Sequence, residues 1–181
     1  MNKQQKLLLG SFFCIFTQES IICLNLMSKS FKNNSYINSQ YAKTTCGGQN
    51  KSPHLSWSNI PKNTQSFALL CQDPDAPTAK KPALDPWIHW LLYDIPSDIR
   101  ELEENVIPQT LNIRQGVNSW GNLYYEEPCP PKGSGDHRYI FTLYALDVPT
   151  IKNVTDTALL IKETKKHTLA SAAITGKYFI Q

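Results

Sequence analysis

The sequence predicts a mainly β protein, an antiparallel β-sandwich with short peripheral and C-terminal helices, and three observations predict it. Short apolar runs at 67–71 (FALLC) and 87–95 (WIHWLLYDI) are bounded by polar and turn-forming residues, as strands buried on both faces require. At 137–146 the residues alternate instead, so His137, Tyr139, Phe141 and Leu143 share one face while Arg138 and Thr142 fall on the other. Helical patterning comes late in the chain, and no βαβ alternation calls for a parallel sheet.

Taken in order, the chain opens with Lys3 and Lys6 ahead of an apolar run at 7–16. That run suits the hydrophobic region of a signal peptide and is too short to span a bilayer, which takes about 20 residues. Residues 1–22 therefore read as a signal peptide or a hydrophobic N-terminal extension, and residues 23–181 as a single domain. Positions 17–20 (TQES) lack a small-residue cleavage pattern, which leaves the uncleaved alternative open. Export implies a periplasmic or secreted chain, and retention of the segment a cytoplasmic one. No later stretch reaches roughly 18 apolar residues, so no integral membrane span is expected after signal removal.

Between the first two strand runs, Pro74, Pro77, Pro82 and Pro86 fix φ and remove amide donors, which predicts a shaped loop outside any ladder. Segment 97–104 predicts a turn of helix with Ser97 as N-cap. A firmer helix is predicted over 156–166, opened by Asp156 and closed by Lys165 and Lys166 in accord with the backbone dipole. Residues 169–173 read as a second short helix, broken by Gly176, with 178–180 as a closing strand.

Composition narrows the functional classes. In 181 residues, 41% are hydrophobic, 10% aromatic and only 18% charged, which suits one globular domain and argues against a disordered chain. The net charge is +3, and Lys29, Lys32, Lys43, Lys51, Lys165 and Lys166 are scattered, so the basic stripe that a nucleic-acid partner needs is missing. Five cysteines include no C-x-x-C pair, which removes zinc-ribbon and thioredoxin-like readings. Cys46 and Cys129 sit in Gly/Pro-rich loops and can pair if the chain is exported. Four cysteines allow three connectivities, though, and sequence does not choose. Cys71 lies inside an apolar run and reads equally well as a packed thiol.

Two loop-to-strand junctions collect the unusual polar residues. One is Asp73-Pro74-Asp75-Ala76-Pro77, followed by Trp87-Ile88-His89-Trp90; the other is 128–135 (PCPPKGSG), leading into His137-Arg138-Tyr139. Each uses a proline-locked loop to deliver a histidine near the start of a strand. Such loops lose little entropy when a ligand arrives, and Gly133 and Gly135 let backbone amides approach a bound group. Imidazoles donate to an anion and carry charge when protonated, so a phosphate is the natural ligand, bound more weakly as pH rises through the histidine range. Asp73 and Asp75 would repel a bare phosphate. They suit instead the holding of a histidine tautomer, acceptance of a proton from a monoprotonated phosphate, or an ammonium group, and a phosphoethanolamine-like headgroup satisfies all three.

These motifs, DPDAP at 73–77, WIHW at 87–90 and PCPPKGSGDHRYIFTLYALD at 128–147, resemble the phosphatidylethanolamine-binding protein (PEBP) family, in particular its bacterial Raf-kinase-inhibitor-like branch. CGGQNKSPHLSW at 46–57 and the end of the chain from His167 to Tyr178 match too, so the resemblance runs from about residue 24 to 178. It implies a sandwich of PEBP type with a small pocket at one end for phosphate, acetate or phospholipid headgroups. Asp73, His89, Pro131 and His137 match the pocket-forming positions, with Asp75, Trp87 and Tyr139 beside them. Where relatives usually carry Gly-Tyr-Gly-Gly, this chain has Tyr124-Tyr125-Glu126-Glu127, which adds bulk and negative charge near the mouth.

The expected function is small-ligand binding with a regulatory role, without enzymatic activity and with no cofactor or metal. An alternative, also implied by the family, is a protein-interaction inhibitor of a protease or kinase that uses the same region. A metal-assisted hydrolase is the third reading, and neither a nucleophile elbow nor an H-E-x-x-H motif supports it. His54 reads as a surface or loop histidine, His167 as a helix C-terminal cap, and Trp57, Trp90 and Trp120 as core or turn packing. As a partly exposed pocket residue, His137 is expected to tolerate replacement by alanine without unfolding.

Overall fold

The computed structural model describes residues 23–78 and 80–181, so the predicted signal segment lies outside the described residues. The elements run β1 (Asn25–Met27), β2 (Ser35–Tyr36), β3 (Leu55–Ser58), β4 (Ser66–Asp73), β5 (Pro77–Thr78), β6 (Lys81–Pro82), β7 (Trp87–Pro96), β8 (Glu101–Leu102), β9 (Arg114–Gln115), β10 (His137–Leu146), α1 (Thr157–Lys166) and β11 (Thr168–Tyr178). Short 3-10 turns lie at Ser39–Tyr41, Thr44–Cys46 and Pro108–Leu111. The predicted mainly β class holds, with open sheets rather than a closed barrel.

Six strands form the main sheet in the order β2-β11-β10-β4-β7-β9, and β1-β3-β8 form a second sheet. Residues of the central strand β4 alternate between two cores. Phe67, Leu69 and Cys71 pack with Trp57, Phe141 and Leu143, whereas Ala68 and Leu70 meet Leu91, Ile151 and Leu160 of α1. Burial on both faces is why the run is continuously apolar in sequence. Each such Leu or Phe side chain stabilises the fold by about 1.5–3 kcal/mol.

Helix α1 forms where predicted. The Asp156 carboxylate accepts from the amide of Leu159 at 2.8 Å, Lys165 and Lys166 occupy the last turn, and His167 caps the end. The expected second helix at 169–173 is instead part of β11, which pairs with β10 from His137↔Tyr178 to Leu146↔Thr168. Its residues alternate, Ala170, Ala172 and Ile174 packing toward the core while Leu169 and Ser171 point outward, and the free edge of β10 outweighs alanine's helical preference. Gly176 belongs to this strand as well. A Cβ there would lie 2.4 Å from the Ile37 side chain, so the bare backbone is what lets Ile37 close in beside the parallel pairing with β2.

Three further expectations change. Segment 97–104 makes a turn and then enters β8, since Leu102 is fully buried opposite Leu55. The proline-rich loop does join a small ladder, with Pro77 opposite Pro82 in the two-stranded β5-β6 hairpin, an edge setting where a missing amide is tolerated. His54 is 3% exposed rather than on the surface. Its Nδ1 accepts from the Lys29 amide at 3.2 Å and its Nε2 meets Glu101 at 3.1 Å, so it ties the chain after β1 to β8. Among the open cysteine connectivities, the structure selects Cys46–Cys129, with Cα atoms 5.8 Å apart. Cys71 is a buried free thiol.

Candidate functional site

Strand topology assembles the site. Because β4 is antiparallel to both β7 and β10, the end of β4 lies beside the beginnings of its two neighbours. Asp73, Trp87 and His137 therefore meet at one end of the sheet. The β4–β7 register jumps there, from Cys71↔Trp90 to Gln72↔Ile88, which leaves His89 as the extra residue of a bulge. Bulges re-aim a side chain relative to the regular pleat, and this one gives His89 its place on the wall of a cavity of about 490 Å³.

Six of the seven predicted site residues, Asp73, Trp87, His89, Pro131, His137 and Tyr139, line that cavity. Asp75 does not. It holds Arg138 with two side-chain bonds of 2.8 Å and also accepts from the Arg138 amide at 3.0 Å. The guanidinium keeps the Asp75 carboxyl below its usual range, so this residue fastens the turn after β4 to the first residues of β10.

His137 is 1% exposed and bonded at both ring nitrogens. Nδ1 lies 2.6 Å from Asp73 Oδ2, and Nε2 lies 3.0 Å from the hydroxyl of Ser134. Asp73 is itself positioned by the Asp75 amide, which donates to Oδ1 at 2.8 Å. Carboxylate, imidazole and hydroxyl thus stand in the order of a hydrolytic triad. Ser134 is not among the residues lining the cavity, and its hydroxyl is the hydrogen-bond partner of the His137 ring.

His89 is wired differently. Its Nδ1–H donates to the Glu126 carbonyl at 2.6 Å, which makes Nε2 the lone-pair nitrogen, and that buried atom has no partner among the described residues. The ring stands edge-on to Trp120 and Tyr139, with centroids 4.9 and 5.0 Å away. Burial lowers its pKa, so the ring stays neutral and offers an acceptor. The expected switch to a charged anion donor near neutral pH does not fit this environment. Of the glycine-rich turn, the Gly133 and Ser134 amides are not free to donate to a ligand, because they donate to the Ile180 and Pro131 carbonyls.

Several cavity residues escaped the sequence reading. Trp120 is 45% exposed and packs against Trp87 at 5.3 Å as well as against His89, so it is part of the cavity wall rather than core or turn packing. Its loop is latched to β7, since the Ile88 amide donates to Ser119 Oγ at 2.8 Å and the Ser119 amide to the Ile88 carbonyl. Trp57 and Trp90 are core, as expected. On the rim, Lys43 meets Glu126 at 2.8 Å, and Asn122 donates to the other Glu126 oxygen at 3.0 Å. Glu127 also lines the cavity and has no ion-pair partner among the described residues; burial and the neighbouring Glu126 charge raise its pKa. The disulfide ties this rim together, since Thr45 and Cys129 both line the cavity.

The fold is thus an open, mostly antiparallel sheet with a ligand-sized cavity at one end and buried acid and imidazole groups on the cavity wall. Residues 27–179 match the family model described as phosphatidylethanolamine-binding protein, and the chain belongs to that family. It is 41% identical to a UPF0098 protein of Aquifex aeolicus over 80% of this chain and 81% of that one. It is also 37% identical to UPF0098 protein YbhB of Escherichia coli, over 72% and 83% of the two chains. Among solved structures, E. coli YbcL, described as a member of the mammalian PEBP family, superimposes with a TM-score of 0.76 at 30% identity, over 87% of this chain and 99% of that one. A carboxypeptidase Y inhibitor, solved in complex with its cognate proteinase, shares the fold at 19% identity with a TM-score of 0.55, over 87% and 84% of the two chains.

Proposed function

We propose that the chain is a regulatory binding protein whose cavity takes a phosphate monoester of the phosphoethanolamine type, without turning it over. The observation that carries this reading is the unpartnered Nε2 of His89, a buried acceptor on the cavity wall. A buried polar atom without a partner costs roughly 1–3 kcal/mol, so a ligand that brings its own O–H or N–H recovers that cost on binding. A monoprotonated phosphate and an ammonium group both do. Trp87 Nε1, also buried without a partner, is a matching donor, and Lys43 supplies a rim cation. Ser134, the hydroxyl bonded to His137, is not among the cavity-lining residues, which favours binding over hydrolysis.

NMR titration of the His89 ring signals with phosphoethanolamine tests the proposal. The expected outcome is a saturable shift, and unchanged signals at millimolar ligand would refute it. A periplasmic or secreted location belongs to the same proposal, because a disulfide on the cavity rim suits an oxidising compartment. The N-terminal mass of the chain recovered from fractionated cells checks it, and a full-length reduced chain in the cytoplasm would count against it.

The alternative, inhibition of a protease or kinase, has one observation in its favour. Val117, Trp120, Leu123 and Tyr124 are all between 43% and 55% exposed within one loop beside the cavity, which is more apolar surface than a purely small-ligand role requires.

A further inference from the structure

A second cavity, of about 390 Å³, lies beside the first and falls within the size range of small-molecule sites. Segment 123–127 stands between the two: Leu123, Tyr124 and Tyr125 line the second, Glu126 the first, and Glu127 both. The second wall differs in kind. Among the described residues that line it none is a lysine, arginine or histidine, and its carboxylate, Glu127, already feels the opposing charge of Lys43. Hydrogen-bonding capacity comes instead from neutral groups. Trp90 Nε1–H donates to Gln115 Oε1 at 3.1 Å, which fixes that amide and leaves its NH2 to donate. Asn105 and Gln109 are engaged through their backbones, the Asn105 amide donating to the Ser52 carbonyl at 3.0 Å and the Gln109 carbonyl accepting from Asn112, so their exposed side-chain amides are left over. Asn50, the fourth amide, is committed to Thr44.

We propose that this second cavity is a separate binding site for an uncharged, polyhydroxylated ligand of sugar-ring size, held by the side-chain amides of Asn105, Gln109 and Gln115 and by Ser52 Oγ. The independent observation is Ser52, a lining residue only 5% exposed whose hydroxyl is buried without a partner. A buried hydroxyl left unpaired costs free energy that a ligand hydroxyl recovers. Each sugar hydroxyl both donates and accepts, as the amides and Ser52 do, so the two sets match without any charge to neutralise. The C–H faces of a sugar ring need apolar surface as well, and Val106, Ile107, Pro108 and Leu123 supply it beside the Tyr124 ring. An anion would meet Glu127 and no cation on this wall, and an ammonium group gains little from a carboxylate that Lys43 already offsets.

NMR titration of the isotope-labelled, oxidised full-length chain tests the proposal, read on the side-chain amide signals of Asn105, Gln109 and Gln115. The probes are glucose, galactose, mannose and N-acetylglucosamine, with the uronate and the amino sugar of the same ring as charged controls. At least one neutral sugar is expected to give saturable shifts of these signals, at least about threefold more tightly than its charged counterparts. Ser52→Ala removes an unpaired hydroxyl, and Gln109→Ala an exposed side chain, so both variants should melt with the native chain while binding the sugar about threefold to tenfold more weakly. Weakening in either variant, with the melt unchanged, supports the site. Unchanged affinity in both overturns it, as does tighter binding of a charged control. Shifts confined to His89 and Trp120 would place the sugar in the first cavity, and silence of all four sugars at millimolar concentration would leave the second without its ligand class; either result also overturns the proposal. None of these outcomes bears on phosphoethanolamine at His89, which is read on different signals.

Discussion

His89 and His137 arrive at the cavity by the same sequence device, a proline-rich loop that ends near the first residue of a strand, yet the fold gives them opposite work. His137 is bonded at both nitrogens, to Asp73 and Ser134, and is sealed at 1% exposure. His89 is bonded at one nitrogen and stands among rings with the other unsatisfied. The first ring is a strut that joins the ends of β4 and β10; the second is a wall group with spare capacity. Of two buried imidazoles, the incompletely satisfied one is the better marker of a ligand.

The comparison breaks most visibly if the strut can be removed at no cost. His137→Ala leaves the Asp73 carboxylate buried without its partner, and breaking a buried pair of this kind costs about 3 kcal/mol or more. Urea denaturation should show that loss, contrary to the sequence-based expectation of a partly exposed and dispensable ring. A variant as stable as the native chain would return His137 to the same class as His89. A smaller effect is expected one residue on. Arg138→Gln removes the two bonds to Asp75, and because the Arg138 side chain is half exposed, solvent screening holds the loss to about 1 kcal/mol. Loss of several kcal/mol would mean that the strut extends through Arg138 as well.

Much of this was legible in sequence, and the part that was not has a physical reason. Strands β4, β7 and β10 and the helix with its Asp156 cap declare themselves through burial patterns and local chemistry, which depend only on neighbours in the chain. Most of the cavity follows, because loop-to-strand junctions can be read from prolines and from the change of period. Asp75 was misread because its partner, Arg138, is remote in sequence and comes beside it only through the β4–β10 pairing. His54 failed for the same reason, its partner Glu101 being 47 residues away. Lys43 and Trp120 carried no local signal at all, since a lysine before a threonine and a tryptophan before a glycine look like ordinary loop residues until the rim is folded. The strand at 168–178 was hidden by alanines that favour helix in isolation, and was settled by the edge of β10.

The finest distinction between the two histidines is their response to acid. Burial holds the His89 pKa below its ordinary value, so the unfolded chain takes up a proton at this position more readily than the folded one. Stability from His89 is therefore complete above the ordinary histidine value of about 6.5 and declines as pH falls through it toward the folded-state value. Asp75 is displaced in the same direction but only within the carboxylate range, so it contributes nothing to a change between neutral and mildly acid pH. His89→Phe keeps a ring against Trp120 and Tyr139, removes the orphaned nitrogen, and leaves the Glu126 carbonyl without its donor, a near balance that should move neutral-pH stability by no more than about 1 kcal/mol. Urea midpoints compared at neutral and mildly acid pH should then show a shallower acid loss in the variant than in the native chain, together with loss of phosphoethanolamine binding. An unchanged acid slope would mean that His89 accepts its proton in the fold after all, and the difference between a satisfied strut and an unsatisfied wall group would no longer rest on the state of their rings.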